Sequence, residues 1–159
     1  MNNVIINIDD DDEHCLPSWS GKTCSFALKV LDEVKCNNWE LSILFCGDKK
    51  ITEMNAQYRN KNEPTDILTF ILGETVNENG KTTFLPGDIV ISLDTLRDNS
   101  KYFNVPEDEE LRRLLIHGIL HLNGMDHNTN NTDEPMLKLQ EEILTKLGNE
   151  QIITAGELK

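Results

Sequence analysis

The amino-acid sequence predicts a single α+β domain in which helices cover a small mixed β-sheet. Segments with strand-like alternation and segments with helical periodicity are interspersed without strict alternation, which favours a mixed sheet. The 159 residues suit one domain and allow a sizeable hydrophobic core. We find no internal repeat, low-complexity tract or linker, so residues 1–159 are expected to form one domain.

The N-terminal part is predicted to contribute two strands and two helices. Residues 4–8 are expected to form a short strand, and apolar residues recur at helical intervals between Phe26 and Val34. Residues 39–45 largely alternate in polarity, which is the pattern of a half-buried strand. Asp48 is placed to cap a second helix that ends near Arg59.

The middle of the chain is predicted to add two strands separated by a loop. Residues 66–72 are rich in Ile, Leu and Phe, as expected for a strand. Residues 73–86 are polar and contain the turn signal Asn79-Gly80, so we expect a loop. Residues 87–93 then form the next strand.

Three helices are predicted to complete the domain. The first spans residues 93–103, and Pro106 opens a second, longer helix with acidic residues at its positive end. Thr132 is expected to cap the last helix, which Gly148 stops. Residues 149–159 are predicted to be a loosely held tail.

Composition indicates a cytoplasmic protein. The N-terminus lacks the basic and apolar regions of a signal peptide, and no apolar stretch is long enough to span a bilayer. The four cysteines are irregularly spaced and contain no C-x-x-C pair, so reduced thiols are expected: Cys15, Cys24, Cys36 and Cys46.

The chain is strongly acidic, with a formal net charge of -13. Such a charge steers a protein away from polyanions, although the local field matters more than the sum. We interpret the acidic run from Asp9 to Glu13, followed by His14, as a solvated loop, because nothing there fixes the geometry of a metal site. Basic residues gather in two places: Arg59 with Lys61, and Arg112 with Arg113.

Three of the four histidines lie close together and predict a metal site. His117 and His121 are four residues apart, which places both imidazoles on one face of the long helix. Gly124 can adopt the left-handed conformation that ends a helix, so His127 can fold back toward the other two. Three convergent neutral imidazoles are typical of a catalytic zinc site with an open fourth position.

The histidine spacing is that of a long zincin motif with one change. Gly118 replaces the glutamate that serves a peptidase as general base. A glycine inside a helix costs about 1 kcal/mol relative to alanine, so its presence needs a reason. We consider two: room for a substrate beside the metal, or close packing against another element.

The segment from His117 to His127, HGILHLNGMDH, resembles the signature of the YbeY family of bacterial metal-dependent endoribonucleases. Residues 58–70, which contain Pro64-Thr65-Asp66, and residues 87–92 resemble the same family in the same order. The resemblance spans residues 39–148 and implies a sheet of about four strands with a zincin-like metal helix.

This resemblance implies a single-strand endoribonuclease that acts in ribosomal RNA processing, including 16S rRNA 3′-end maturation, and in ribosome quality control. The implied metal ligands are His117, His121 and His127, which would hold one Zn²⁺, although imidazoles also suit Ni²⁺. Arg59 is the candidate phosphate clamp, since its planar fork matches a phosphate group. The implied partners are single-stranded ribosomal RNA and the small ribosomal subunit with its assembly factors, with no membrane.

Several alternatives stay open from the sequence. The protein could be a zincin-type metallopeptidase, or a non-catalytic ribosome-assembly factor whose metal is structural. Asp66, Asp88 and Asp126 could orient metal ligands or could cap helices and strands. The attacking group could be hydroxide or the RNA 2′-hydroxyl, and the oligomeric state is not specified.

Overall fold

Four strands and five helices make up the part of the chain that the computed structural model describes, residues 1–9 and 16–158. In chain order they are β1 (Asn3–Ile8), α1 (Ser20–Glu33), β2 (Glu40–Cys46), α2 (Asp48–Arg59), β3 (Ile67–Glu78), β4 (Lys81–Ser92), α3 (Leu93–Phe103), α4 (Glu107–Leu122) and α5 (Pro135–Lys146). The acidic run interpreted as a loop lies outside the described residues beyond Asp9, as does His14.

The four strands form one mixed sheet in the order β1-β2-β4-β3. β1 runs parallel to β2, and β2 runs parallel to β4. β3 pairs antiparallel with β4 and forms an edge of the sheet. The predicted α+β class and the sheet of about four strands are therefore confirmed.

Helix α4 is the centre of the core. It packs against β3 and β4 and against α1, α3 and α5. Leu111, Leu115, Ile116, Ile119 and Leu120 are fully buried, so apolar contacts surround most of the helix. Side chains near its C-terminal end are thus carried by a rigid scaffold, which suits a site that needs fixed geometry.

The predicted loop over residues 73–86 is wrong except at its turn. β3 and β4 continue through this segment as a long hairpin. The hairpin turns at Asn79 and Gly80, whose φ angles of 51° and 77° match a type I′ turn. Most side chains near the turn are exposed, so these strands carry no apolar alternation that would reveal them.

The predicted loose tail is also wrong for the described residues up to 158. Ile152, Ile153 and Leu158 are buried in the core. The backbone N–H groups of Ile152 and Ile153 donate to Asp108 Oδ1, at 2.6 and 3.0 Å. This carboxylate, at the start of α4, therefore ties the C-terminal segment to the central helix.

The remaining helix boundaries largely follow the sequence. α3 has the predicted bounds, and α4 begins directly after Pro106. α5 begins at Pro135, where proline is favoured, rather than being capped by Thr132. None of the helices in the described part of the chain is long and apolar enough to cross a membrane.

Candidate metal centre and adjoining cleft

The imidazoles of His117, His121 and His127 meet at the C-terminal end of α4. The Nε2 atoms of His117 and His121 are 3.0 Å apart. One potential ligand atom from each of the three residues lies within 4.8 Å of the other two. The structure thus brings together the three histidines that the sequence predicted to converge.

A helix-ending turn brings the third histidine back to the first two. Gly124 adopts a φ of 92°, in the left-handed region that favours glycine. Its N–H donates to His121 O, and the N–H of Met125 donates to Leu120 O, both at 3.0 Å. These two bonds are those of a Schellman motif, which reverses the chain so that His127 can approach the helix.

Each imidazole is oriented by an oxygen that can only accept a hydrogen bond. The Nδ1 atoms of the three histidines, in chain order, face Gln140 Oε1 at 2.6 Å, Met125 O at 3.1 Å and Thr129 O at 2.8 Å. Nδ1 must therefore carry the proton in each ring. The lone pairs on the Nε2 atoms are left free for a metal ion, an arrangement common around metal-binding histidines.

Gln140 contacts the candidate metal centre and was not predicted from the sequence. Its Nε2–H donates to Glu141 Oε2 at 3.1 Å, which fixes the amide so that Oε1 faces His117. Glu141 in turn accepts from Arg113 at 3.0 and 3.1 Å. The sequence did contain a signal for Gln140. This polar residue lies one turn after Met136 on the buried face of α5, where an apolar residue is expected, and a buried polar side chain needs a hydrogen-bond partner.

The electrostatics of the cluster favour neutral imidazoles at His117 and His121. Burial lowers the pKa of His117 to about 4. Burial also lowers the pKa of His121, and the charges of His127 and Arg59 lower it further. Neutral imidazole is the form that binds metals, so the donor set fits a divalent transition-metal ion.

Arg59 is the last residue of α2 and bonds to the edge strand β3. Its Nη2–H donates to Thr69 O of β3 at 3.0 Å, which leaves other donors of the exposed guanidinium available. The neighbouring Asn60 takes a left-handed conformation and ends the helix there. The positive charge of Arg59 lowers the pKa of His121, so Arg59 acts electrostatically on the cluster.

The other basic pair that the sequence singled out is already occupied by carboxylates. Arg112 is buried and pairs with Asp108 at 2.8 Å. Arg113 pairs with Glu109, Glu110 and Glu141. These arginines are therefore structural counter-ions rather than free phosphate ligands.

The three aspartates considered as supporting groups have different positions. Asp126 Oδ1 accepts from the N–H of His127 at 2.8 Å and lies 4.0 Å from His121 Nδ1. Asp66 accepts from Asn99 at 3.1 Å, and burial raises the pKa of its carboxyl. Asp88 is exposed on β4. Of these three, Asp126 is thus the one positioned beside the histidine cluster.

A cleft of about 770 Å³ adjoins the cluster. His117 and His127 line it on one side. The remaining walls mix apolar and polar side chains: Asp66, Ile67, Asn99, Phe103, Val105, Glu110, Arg113, Leu114, Asn130, Thr132, Leu137, Gln140 and Glu141. The metal-binding face therefore opens onto a space large enough for a small-molecule ligand or part of a polymer.

Comparison with known proteins identifies the family. A family model described as Endoribonuclease YbeY matches residues 7–148. The chain belongs to the endoribonuclease YbeY family. The match covers all the elements from α1 to α5, including the whole histidine segment.

Curated YbeY proteins are similar to this chain over most of their length. The Endoribonuclease YbeY of Treponema denticola is 50% identical over 129 residues, 80% of this chain and 83% of the relative. That of Treponema pallidum strain Nichols is 47% identical over 133 residues, 83% of each chain. That of Borreliella burgdorferi strain B31 is 45% identical over 125 residues, 75% of this chain and 81% of the relative.

A solved structure supports the YbeY-family fold. The solution structure of TM1509 from Thermotoga maritima matches with a TM-score of 0.56. The match covers 94% of this chain and 91% of that one, at 24% sequence identity. This likeness concerns the fold.

The structure decides between the two explanations for Gly118 in this YbeY-family chain. A Cβ atom on Gly118 would lie 2.8 Å from Ile89 Cδ1 and 3.2 Å from Ile67 Cδ1. Gly118 therefore faces the sheet and permits close packing of α4 on it. The structure thus supports close packing, rather than room beside the metal, as the reason for this glycine.

Proposed function

We propose that this protein is a zinc-dependent single-strand endoribonuclease that acts in ribosomal RNA processing. The observation that carries the proposal is the set of three inward-facing Nε2 atoms at the edge of a cleft, since each Nδ1 is held by an acceptor. The curated relatives are named endoribonucleases, which supports RNA as the substrate.

His117, His121 and His127 are the proposed ligands of one ion. Three imidazoles leave a coordination position for water or substrate, and in the described residues the group consists of these three side chains. When bound, a divalent ion supplies a Lewis acid for a phosphoryl oxygen and acidifies water. Zinc is the proposed ion, and nickel suits the same donor set.

Arg59 is proposed to hold the scissile phosphate. Its exposed guanidinium is anchored by one bond to Thr69 O, and its charge lowers the pKa of His121. The remaining N–H groups can donate to two phosphate oxygens at once, which orients the group and stabilises charge that develops on it. The protein thus offers a cation for the phosphate although its net charge is -13.

The proposed biological setting follows the family. We place the activity in 16S rRNA 3′-end maturation and ribosome quality control, with the small ribosomal subunit and its assembly factors as partners, in the cytoplasm. The support is the family itself, whose role is ribosomal RNA processing. The single domain of residues 1–159 would then act on RNA exposed on the ribosomal particle.

A metallopeptidase is a weaker candidate. Position 118, where a peptidase carries its glutamate, is a glycine, so the general base of a zincin is missing from the motif.

The test is cleavage of single-stranded RNA by zinc-loaded protein, with a duplex of the same sequence and a peptide library as competing substrates. We expect internal cleavage of the single strand and loss of that cleavage in His121→Ala. RNA that stays intact, equal cleavage by His121→Ala, or efficient hydrolysis of peptides would overturn the proposal.

A further inference from the structure

The cleft beside the histidines carries the wrong charge for a phosphate. Three carboxylates line it, those of Asp66, Glu110 and Glu141, against the single guanidinium of Arg113. That guanidinium pairs with Glu110 and Glu141 and also with Glu109 outside the lining. Away from the metal-binding histidines, a phosphate in the cleft would therefore meet net negative charge and no free cation among the described lining residues.

The same cleft is well suited to a flat, neutral, partly polar group. Phe103 lines it while remaining 60% exposed, so the ring is available to a ligand. Ile67, Val105, Leu114 and Leu137 supply further apolar walls. Nucleobases stack on exposed aromatic side chains when proteins bind single-stranded nucleic acid, because every base has a π-face.

From this composition we infer that the cleft is a subsite for one nucleobase of the RNA strand, stacked on Phe103, with the phosphate backbone held at the edge of the cleft by the metal-binding histidines and Arg59. The inference rests on the proposed function for the identity of the polymer. The neutral base would then lie in the acidic cleft, and the charged phosphate would lie beside the cationic guanidinium of Arg59.

The polar walls of the subsite favour bases that carry an exocyclic amino group. Asp66 forms no ion pair with the other described residues and accepts hydrogen bonds from Asn99 and Thr65. Carboxylate oxygens can accept further hydrogen bonds and have no proton to donate when ionised. An amino group of adenine or cytosine satisfies them, whereas the carbonyl oxygen that replaces it in hypoxanthine or uracil would face like partial charge.

Neutral nucleosides test the subsite without requiring catalysis. Metal-free and zinc-loaded protein would each be titrated with adenosine, inosine, cytidine, uridine and ribose 5-phosphate, followed by NMR shifts of backbone amides around the cleft. We expect adenosine and cytidine to shift the amides of Asn99, Phe103 and Val105, with several-fold weaker binding of inosine and uridine. Ribose 5-phosphate should leave these amides unmoved in the metal-free protein.

Two variants complete the test. Phe103→Ala should lower nucleoside affinity on the order of tenfold with unchanged thermal stability, because the ring is mostly exposed. Ile71→Ala is the control: Ile71 is a large apolar residue that is 70% exposed and is not among the lining residues, so affinity should stay within about twofold. With RNA as substrate, Phe103→Ala should raise KM more than it lowers kcat.

The outcomes distinguish the subsite from the proposed function. If zinc-loaded protein cleaves single-stranded RNA but adenosine and cytidine move no cleft amide, the subsite is wrong and the proposed function stands. If the nucleosides bind at Phe103 while RNA stays intact, the subsite stands and the proposed function is wrong. Equal losses of nucleoside affinity in Phe103→Ala and Ile71→Ala would overturn the stacking on Phe103. Equal binding of adenosine and inosine would overturn the preference for an amino group.

Discussion

His117 Nδ1 donates to Gln140 Oε1 across a distance of 2.6 Å. This bond joins α4, which carries two histidines of the cluster, to α5, and it is the inner end of a chain of contacts through Glu141 to Arg113. Without the amide oxygen, the imidazole of His117 could rotate or exchange its proton between the two nitrogens. The geometry of the candidate metal centre therefore depends on a residue of a different helix.

We predict that Gln140→Leu weakens metal binding. Leucine fills similar space but offers no acceptor, and loss of such supporting bonds lowers metal affinity roughly 10–100-fold. Competition between the protein and a chromogenic chelator measures the change. Gln57→Leu on α2 is the control, since Gln57 is exposed. Equal zinc affinity in wild-type protein and Gln140→Leu would mean that the bond does not support the site.

The assignment of the ligands is tested by metal content. His121→Ala should leave the protein folded with less than one bound ion after dialysis against zinc, because two imidazoles hold the ion poorly. His14→Ala removes the one histidine outside the segment and should keep full occupancy. Elemental analysis of both variants gives the answer, and full zinc occupancy in His121→Ala would reject the assignment.

We predict that metal-free protein loses stability in mild acid because of His117. Its pKa is about 4 in the folded protein, against about 6.5 in the unfolded chain. Between these values the unfolded state binds more protons, so the free energy of unfolding falls as the pH drops from about 6.5 to about 4. The His117 contribution to this loss is at most about 3 kcal/mol.

Urea denaturation at a series of pH values measures this effect in metal-free protein. His117→Gln lacks the titrating group, so its stability should depend less steeply on pH in the same window. Parallel curves for wild type and His117→Gln would show that this imidazole does not become harder to protonate on folding.

Arg59→Lys should impair RNA cleavage more than folding. Lysine keeps the charge but loses the planar fork, so we expect the cleavage rate to fall on the order of 10–100-fold. This is a smaller loss than the one expected when a hydrogen-bond donor to the transition state is removed outright. Tm and cleavage rate would be measured together. Arg97→Lys, which alters an arginine paired with Asp94 on α3, is the control and should retain activity. Unchanged cleavage by Arg59→Lys would return Arg59 to a structural role.

The sequence predicted what depends on local spacing and missed what depends on distant partners. His117, His121 and the turn at Gly124 lie within one continuous segment, so helical geometry was enough to bring the histidines together. Gln140 reaches the cluster from 23 positions away, and Asp108 captures Ile152 from 44 positions away. Such pairings follow from tertiary packing, which local periodicity does not encode.

The long hairpin was missed for a different reason. β3 and β4 were recognised where they pack against the core, because apolar residues alternate or cluster there. Toward Asn79 most of their side chains are exposed, and polar strands resemble loops in sequence. The Asn-Gly turn was the one local signal in that segment, and it was read correctly.

The last prediction concerns Gly118, because a substitution there distinguishes a role in packing from a role in catalysis. Alanine would gain about 1 kcal/mol in helix propensity. Its Cβ, however, would lie 2.8 Å from Ile89 Cδ1 and 3.0 Å from Ile89 Cγ1, and Ile89 is fully buried. Overpacking of this kind costs about 1–3 kcal/mol. We therefore expect Gly118→Ala to be destabilised by up to about 2 kcal/mol, with a lower Tm.

A second glycine on a helix provides the control. A Cβ atom on Gly21 of α1 would meet no neighbouring atom within 4 Å, so Gly21→Ala should hold or raise the Tm. Because the face of α4 at Gly118 is turned to the sheet, the folded fraction of Gly118→Ala should still bind zinc and cleave RNA at close to the wild-type rate. A Gly118→Ala protein that is as stable as wild type but inactive would restore the explanation that the substrate approaches over this glycine.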